Sequence, residues 1–480
     1  MSLTRTKSIT TLLAQAGDSS HGLKRTLSAR DLVALGIGAI IGAGLFVRTA
    51  AAAADAAGPG VTLSFIVAAI GCAFAGLCYA EFASMIPIAG SAYTYAYCTL
   101  GEMVAWTIGW ALILEYALGA ATVSIAWSEY LNKLLGGVIP YEWCHSPMEV
   151  SPDGVRGIFN GPALIILFII SALLIKGIQE SASVNAVIVF TKVAIVLAFI
   201  ALGWQFVNPA NHVPYLIPEG TVGHEGFFQH GWGGVLRGAG IVFFAFIGFD
   251  AVSTAAQEAK NPEKDMPMGI LGSLAICTVL YILFGHVLTG IANWTEFKVA
   301  GKEASVAYAI AKYMPGFNWL ATLVTVAILA GFSSVILVML LGQSRVFLSM
   351  SRDGLLPPVF AELHPTFRTP YKSNILLFVF VGAFAGFIPG SMAGDLTSIG
   401  TLFAFIVVSV GVWILRRKNP TQARPFRTPL VPLVPILGAV VCAALIVGLD
   451  HVTQLTALGW MLIGFVVYFG YSRSRSKLAS

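Results

Sequence analysis

Ala39-Ile40-Ile41-Gly42-Ala43-Gly44-Leu45-Phe46 interrupts the first long apolar stretch of the chain with two glycines around one alanine. About two hundred residues later, Phe243-Phe244-Ala245-Phe246-Ile247-Gly248-Phe249-Asp250 interrupts another. A bilayer tolerates a broken helix only where the freed backbone groups are buried in protein or line a cavity. Two breaks at matching positions of two halves point to the substrate site of a secondary transporter.

Composition agrees with a lipid surround. Of 480 residues 57% are hydrophobic and 11% charged, against about 25% charged in an ordinary soluble domain. Runs of about 20 apolar residues span the hydrocarbon core, and twelve are predicted: roughly 32–54, 61–84, 97–129, 161–178, 184–206, 236–256, 268–291, 318–345, 373–389, 395–415, 430–449 and 455–472. With the N-terminus inside, 20 of the 28 Lys and Arg residues fall in inner segments. Seven lie outside or near outer helix ends (Arg48, Lys133, Arg156, Arg237, Lys298, Lys302 and Lys312), and Lys192 sits mid-span. This bias predicts both termini in the cytoplasm. The net charge of +5 orients the protein and is not read as a nucleic-acid surface. The first thirty residues are polar and basic, without the apolar core of a cleavable signal peptide.

The layout divides the chain into a cytoplasmic segment 1–30, a first repeat 31–206, an outer loop 207–235, a second repeat 236–415, a basic loop 416–429, two added helices within 430–472 and a tail 473–480. The expected class is an all-α membrane protein. Among six cysteines only Cys144 falls in a long outer loop, where it is read as an unpaired thiol.

A helix broken at mid-membrane offers N–H groups at the start of one half and C=O groups at the end of the other. The first attract a carboxylate and the second an ammonium. Gly42 lies roughly 15–18 Å into its span at 1.5 Å per residue, near the bilayer centre. A ligand carrying both charges on adjacent atoms, an α-amino acid, fits two such ends. The competing reading of Gly42-Ala43-Gly44 is tight packing by small residues. The second break and three intramembrane charges turn the balance: Glu115 in span three, Lys192 in span five, and Asp250 beyond the second break. Such charges cost a few kcal/mol or more and are functional hypotheses by default. In a partly dry site Lys192 can release and regain a proton, and its fixed charge would fill the place of a coupling sodium. Asp250 or Glu115 receives the proton or faces a cationic side chain. Glu81 is a gate residue or solvated, His286 a packing histidine, and His212, His224 and His230 solvated loop residues. No HExxH, GxSxG, phosphate loop or paired CxxC is present. No enzyme chemistry, cofactor or metal is expected.

The stretches 36–47 (GIGAIIGAGLFV), 75–97, 113–124, 243–270 and 344–358 (SRVFLSMSRDGLLPP) resemble the amino acid–polyamine–organocation superfamily, and within it the cationic amino acid transporter family, in a bacterial-type form. The resemblance runs from about residue 25 to 470. It implies twelve transmembrane helices in a five-plus-five inverted repeat, with helices one and six broken around the site and two further helices at the C-terminal end. It places the substrate carboxylate on the amides of Gly42, Ala43 and Gly44 beside Ile41, and the amino group on carbonyls near Phe244, Ala245 and Ile247. It makes Phe244 an aromatic gate, Lys192 the occupant of the sodium position, and Asp250 a residue of gating or proton handling. The side-chain pocket draws on Glu115 and Gly119, and on Phe332, Ser333 and Ser334. The expected function is proton-coupled transport of L-amino acids across the inner membrane, with small neutral substrates such as alanine first and arginine or lysine as the alternative. A sensor without transport is the remote alternative, and a small membrane partner subunit is left open.

Overall fold

The computed structural model describes residues 5–8, 27–86, 91–177, 182–298, 305–367 and 369–477. Most of the N-terminal segment 1–30 lies outside this range, as do Lys302, Arg368 and residues 87–90 of the quoted 75–97 stretch. Every regular element among the described residues is helical, apart from two isolated β-bridges.

The first break divides helix α1, Ala29–Ile40, from a second arm that begins with a π-helical turn, Gly44–Arg48. Asp31 starts α1 by accepting hydrogen bonds from the Ser28 N–H at 2.8 Å and the Ser28 hydroxyl at 2.7 Å, which satisfies donors at a positive helix end. Helix α2, Val61–Met85, follows a Gly58-Pro59-Gly60 turn in which Gly58 adopts φ +58°. That left-handed backbone strains any residue with a side chain. Helix α3 is Ser91–Thr99. Helix α4, Glu102–Leu134, carries a π-helical turn at Ile113–Ala117. Helix α5, Gly161–Lys176, is capped by Asn160, which accepts from the Ala163 N–H at 3.2 Å, and ends at the left-handed Gly177.

Helix α6, Ala182–Gly203, precedes the loops leading to α7, Gly231–Val242. A 3-10 turn, Phe243–Phe246, then leads into the second break, and a further 3-10 run covers Asp250–Glu258. Helices α8, Pro262–Ile291, α9, Ser305–Tyr313, and α10, Asn318–Arg352, come next. Helices α11, Tyr371–Phe387, α12, Gly390–Lys418, α13, Leu433–Gly448, and α14, His451–Val467, complete the chain.

Among the described residues eight helical segments are long and apolar enough to cross a membrane, where the sequence reading expects twelve. The difference has two sources. One segment, Gly44–Met85, merges residues of two expected spans across the Gly58 turn. Helices α5, α11 and α13 are apolar but only 16, 17 and 16 residues long. At 1.5 Å per residue each covers about 24–26 Å, short of the roughly 30 Å hydrocarbon core. The two broken segments are joined at their polar ends. Leu27 N–H donates to the Glu258 carbonyl at 2.9 Å, and Lys260 N–H returns a bond to Leu27 at 2.8 Å.

Candidate functional site

Both breaks fall where the glycines place them. The α1 ladder ends as Ile41 N–H bonds Ile37 at 2.9 Å, and Ile41 itself turns extended with ψ 102°. The next N–H groups stand at the start of the second arm with no preceding turn to bond them. In the other break Ile247 is extended at ψ 134° and Gly248 takes φ +114°. A Cβ on Gly248 would sit 2.9 Å from the Ala39 carbonyl carbon and oxygen, so only glycine permits both the dihedral and the contact. The breaks also touch directly: a Cβ on Gly44 would fall 2.2 Å from the Ala245 Cα.

One residue outside the sequence expectations ties them. The Tyr281 hydroxyl of α8 lies 2.9 Å from the Ile40 carbonyl and 2.9 Å from the Ala245 carbonyl, the last turns before each break. The hydroxyl has one proton to give, so Ala245, among the carbonyls expected to receive an amino group, shares that donor with Ile40. The Phe244 carbonyl accepts from Ile247 N–H at 3.3 Å. Each carbonyl keeps a second lone pair.

Lys192 reaches the first break from α6. It is 3% exposed, and its Nζ donates to the Gly38 carbonyl at 2.9 Å, setting a cation near the negative end of α1. Its stem lies along Gly331 of α10, where a Cβ would stand 2.7 Å from the lysine Cε. Around it runs a narrow crevice, too tight as it stands to admit a water molecule, lined by Ile41, Phe46, Ile195, Ala327, Ile328 and Phe332 besides Lys192 and Gly331. Its wall is apolar except for the ammonium. Phe332 points into this region: its ring lies 6.4 Å from Phe46 and 5.7 Å from Tyr130. Ser333 turns its hydroxyl back to Leu329 of its own helix at 2.9 Å. Ile41, Lys192 and Phe332 line the crevice, whereas Gly42, Ala43, Gly44, Phe244, Ala245, Ile247 and Ser333 do not. Ile195 was legible as the residue one turn beyond Lys192 on the same helix face. Tyr281 carried no sequence signal.

Glu115 and Asp250 meet in a second cluster. Glu115 sits in the π-helical turn of α4, a distortion often found at functional positions. Both carboxyls are fully buried and lie beside one another. Tyr116 Oη donates to Asp250 Oδ2 at 3.0 Å.

Arg48, expected outside or near an outer helix end, is 3% exposed and pairs with Asp395 of α12. Three sequence expectations are corrected. Glu81 is not solvated but 1% exposed, held by Arg416 at 2.7 and 3.1 Å, by Arg424 at 3.2 Å and by the Thr428 N–H at 2.8 Å. These bonds tie the end of α2 to α12 and the basic loop. His224 is 1% exposed and donates to the Ala54 carbonyl at 3.1 Å. His212 stacks on His286 with ring centroids 4.5 Å apart, so it too is packed. Cys144 is a free thiol, as expected, though buried.

The family model described as amino acid permease matches residues 27–471. The chain is 44% identical over 99% of its length to the branched-chain amino acid permease BcaP of Bacillus subtilis, with 99% of that protein covered. It is 43% identical to the methylthioribose transporter of the same organism, with 99% of each chain covered. It is 35% identical to the vacuolar cationic amino acid transporter 4 of Arabidopsis thaliana, over 87% of this chain and 68% of that one.

Proposed function

From the chain's membership of the amino acid permease family, a family of multi-pass membrane transporters and not of enzymes, we propose a secondary active carrier of neutral L-amino acids with apolar side chains, driven by protons. The observation that carries the substrate class is the crevice wall. Ile41, Phe46, Ile195, Ala327, Ile328 and Phe332 offer a cationic side chain no counter-charge, and the nearest charge is the cationic Lys192. Burying an unpaired charge there is expensive, whereas each buried methylene of an aliphatic side chain contributes about 0.8 kcal/mol. The branched-chain permease among the relatives agrees with this reading. Alanine stays within the class, and the Phe332 ring limits its upper size.

In this reading the amides of Gly42, Ala43 and Gly44 receive the carboxylate. Carbonyls of Phe244, Ala245 and Ile247 receive the ammonium, and Phe244 closes over the ligand. Lys192, bonded to Gly38, reports its protonation to α1: a neutral amine holds that carbonyl less strongly than an ammonium. Glu115 and Asp250 exchange the coupling proton. Twelve spans in two inverted repeats, 31–206 and 236–415, with both termini cytoplasmic, supply the alternating access. An arginine or lysine exchanger is the second reading, favoured by the buried Glu115–Asp250 carboxyl pair.

Thermal stabilisation of the detergent-purified protein by each of the twenty L-amino acids and by methylthioribose tests the proposal. A ligand bound only to the folded state adds RT ln(1 + [L]/Kd). Stabilisation by leucine, isoleucine, valine and alanine is expected. Arginine or lysine as the strongest stabiliser would overturn the substrate class, and methylthioribose alone would overturn the amino acid reading.

A further inference from the structure

Helix α10 runs unbroken from Asn318 to Arg352, yet it carries a buried glycine, Gly331, near its middle. Alanine would make a firmer helix there. The backbone does not ask for glycine either, because Gly331 is not among the glycines with positive φ. A neighbouring side chain does. The three atoms that a Cβ at 331 would approach most closely are Cε, Cγ and Cδ of Lys192, at 2.7, 3.4 and 3.5 Å. Small residues in membrane helices commonly let two backbones come together, but none of these three atoms is backbone. The missing side chain leaves a groove, and the lysine stem lies in it.

The carbon nearest the groove is the last one before the ammonium, so whatever displaces Cε displaces Nζ. Carbons pack at about 3.5–4.0 Å, and a methyl at 331 would therefore move Cε by roughly 1 Å. The bond from Nζ to the Gly38 carbonyl, 2.9 Å long, tolerates little of that. Because the stem is flexible and the α10 backbone meets no obstacle, the displacement falls on the lysine and spares the fold. Four residues on, on the same face of α10, Val335 meets the first broken segment directly. A Cβ on Gly42 would stand 3.2 Å from Val335 Cγ2. Helix α10 thus bears on that segment on both sides of Ile41, through Lys192 at Gly38 and by itself at Gly42.

We propose that Gly331 is a positioning residue for coupled transport: its groove holds the Lys192 ammonium on the Gly38 carbonyl and so brings α10 into the link between α6 and α1. This rests on the proton-coupled reading above. With the groove filled, the lysine is still present and still titrates, but its protonation no longer reaches α1. Facing Lys192, α8 contributes the Cys277 thiol, α1 the Gly38 carbonyl and α10 the backbone of Gly331. The crevice wall beside it, Ile41, Phe46 and Ile195, is apolar.

The test uses the full chain in four forms: wild type, Gly331→Ala, Lys192→Ala and the double variant. In liposomes with labelled L-leucine, accumulation driven by an imposed proton gradient is divided by leucine–leucine exchange without one. In detergent, the melting temperature of each form is read without ligand. The flux ratio of Gly331→Ala should fall about fivefold or more, the factor that one buried hydrogen bond carries. Its melting temperature should fall when Lys192 is present. In the Lys192→Ala background the same substitution should raise it, because the emptied groove accepts a methyl and the helix gains from alanine. A wild-type flux ratio in Gly331→Ala would overturn the positioning role and leave proton coupling standing. A melting-temperature change of the same sign and size in both backgrounds would also overturn it, by showing that Gly331 acts without Lys192. A wild type that exchanges leucine but does not accumulate it under the gradient would overturn the coupling reading and this inference together.

Discussion

Gly42 and Gly44 look equivalent in the sequence and are not equivalent in the fold. A Cβ on Gly44 meets backbone atoms of Ala245 at 2.2 and 2.6 Å, whereas one on Gly42 meets only the Val335 side chain, at 3.2 Å. Gly44→Ala must therefore push the two breaks apart, an overpacking cost of about 1–3 kcal/mol. Leucine-induced stabilisation should disappear in Gly44→Ala and survive, reduced a few fold, in Gly42→Ala; equal effects would show that the breaks are not in contact. Lys192 supports a separate expectation. Replacing it with alanine removes the donor to the Gly38 carbonyl and the only charge of the crevice. Gradient-driven uptake should fall at least tenfold, and wild-type uptake with an unchanged pH profile would remove Lys192 from coupling. The lysine was legible as a charge at the middle of an apolar span. Its partner was not, because Gly38 contributes a backbone carbonyl that no residue pattern advertises.

Helices carry the next level of the argument. Each break exposes backbone groups of its own segment, yet the link between breaks comes from α8 through one phenol. Tyr281→Phe deletes that hydroxyl and leaves the ring against Phe65 and Phe246, at 5.4 and 5.3 Å. A lost buried hydrogen bond costs about 1 kcal/mol. Leucine affinity should fall roughly fivefold by that arithmetic with little change in expression, and unchanged affinity would mean that Tyr281 merely packs. The same level explains the shortfall in apparent spans. Twelve apolar runs are plain in the sequence because hydrophobicity is a local property. Where a run becomes a helix, and how long it is, depends on turns such as Gly58-Pro59-Gly60 and on what packs beside it.

Across the whole molecule, charges that read as peripheral prove to be ties. Glu81 joins α2 to α12 and the basic loop, and Arg48 joins the second arm to α12. Among the loops, His145 pairs with Glu129 at 2.8 Å and stacks on Tyr141. Burial opposes its charge, but the Glu129 hydrogen bond and charge prevail and push the imidazole up to about 9. A folded-state value above the ordinary 6.5 stabilises the fold fully below that ordinary value, and the contribution is lost as pH rises towards 9. It amounts to roughly 1–3 kcal/mol. The melting temperature should drop between pH 6 and 10 by more in the wild type than in Glu129→Gln, and parallel curves would exclude the pair as a source of stability.

The sequence by itself determined the membrane class, the two breaks and the three intramembrane charges, since each is written in local composition. Tertiary structure alone decided that Gly44 touches Ala245, that Phe332 rather than Ser333 faces the crevice, and that Tyr281 spans both breaks. It also placed Glu115 against Asp250. These are contacts between residues up to 241 positions apart, and in an apolar chain every candidate partner has much the same hydrophobicity. Only the packing of the helices selects among them.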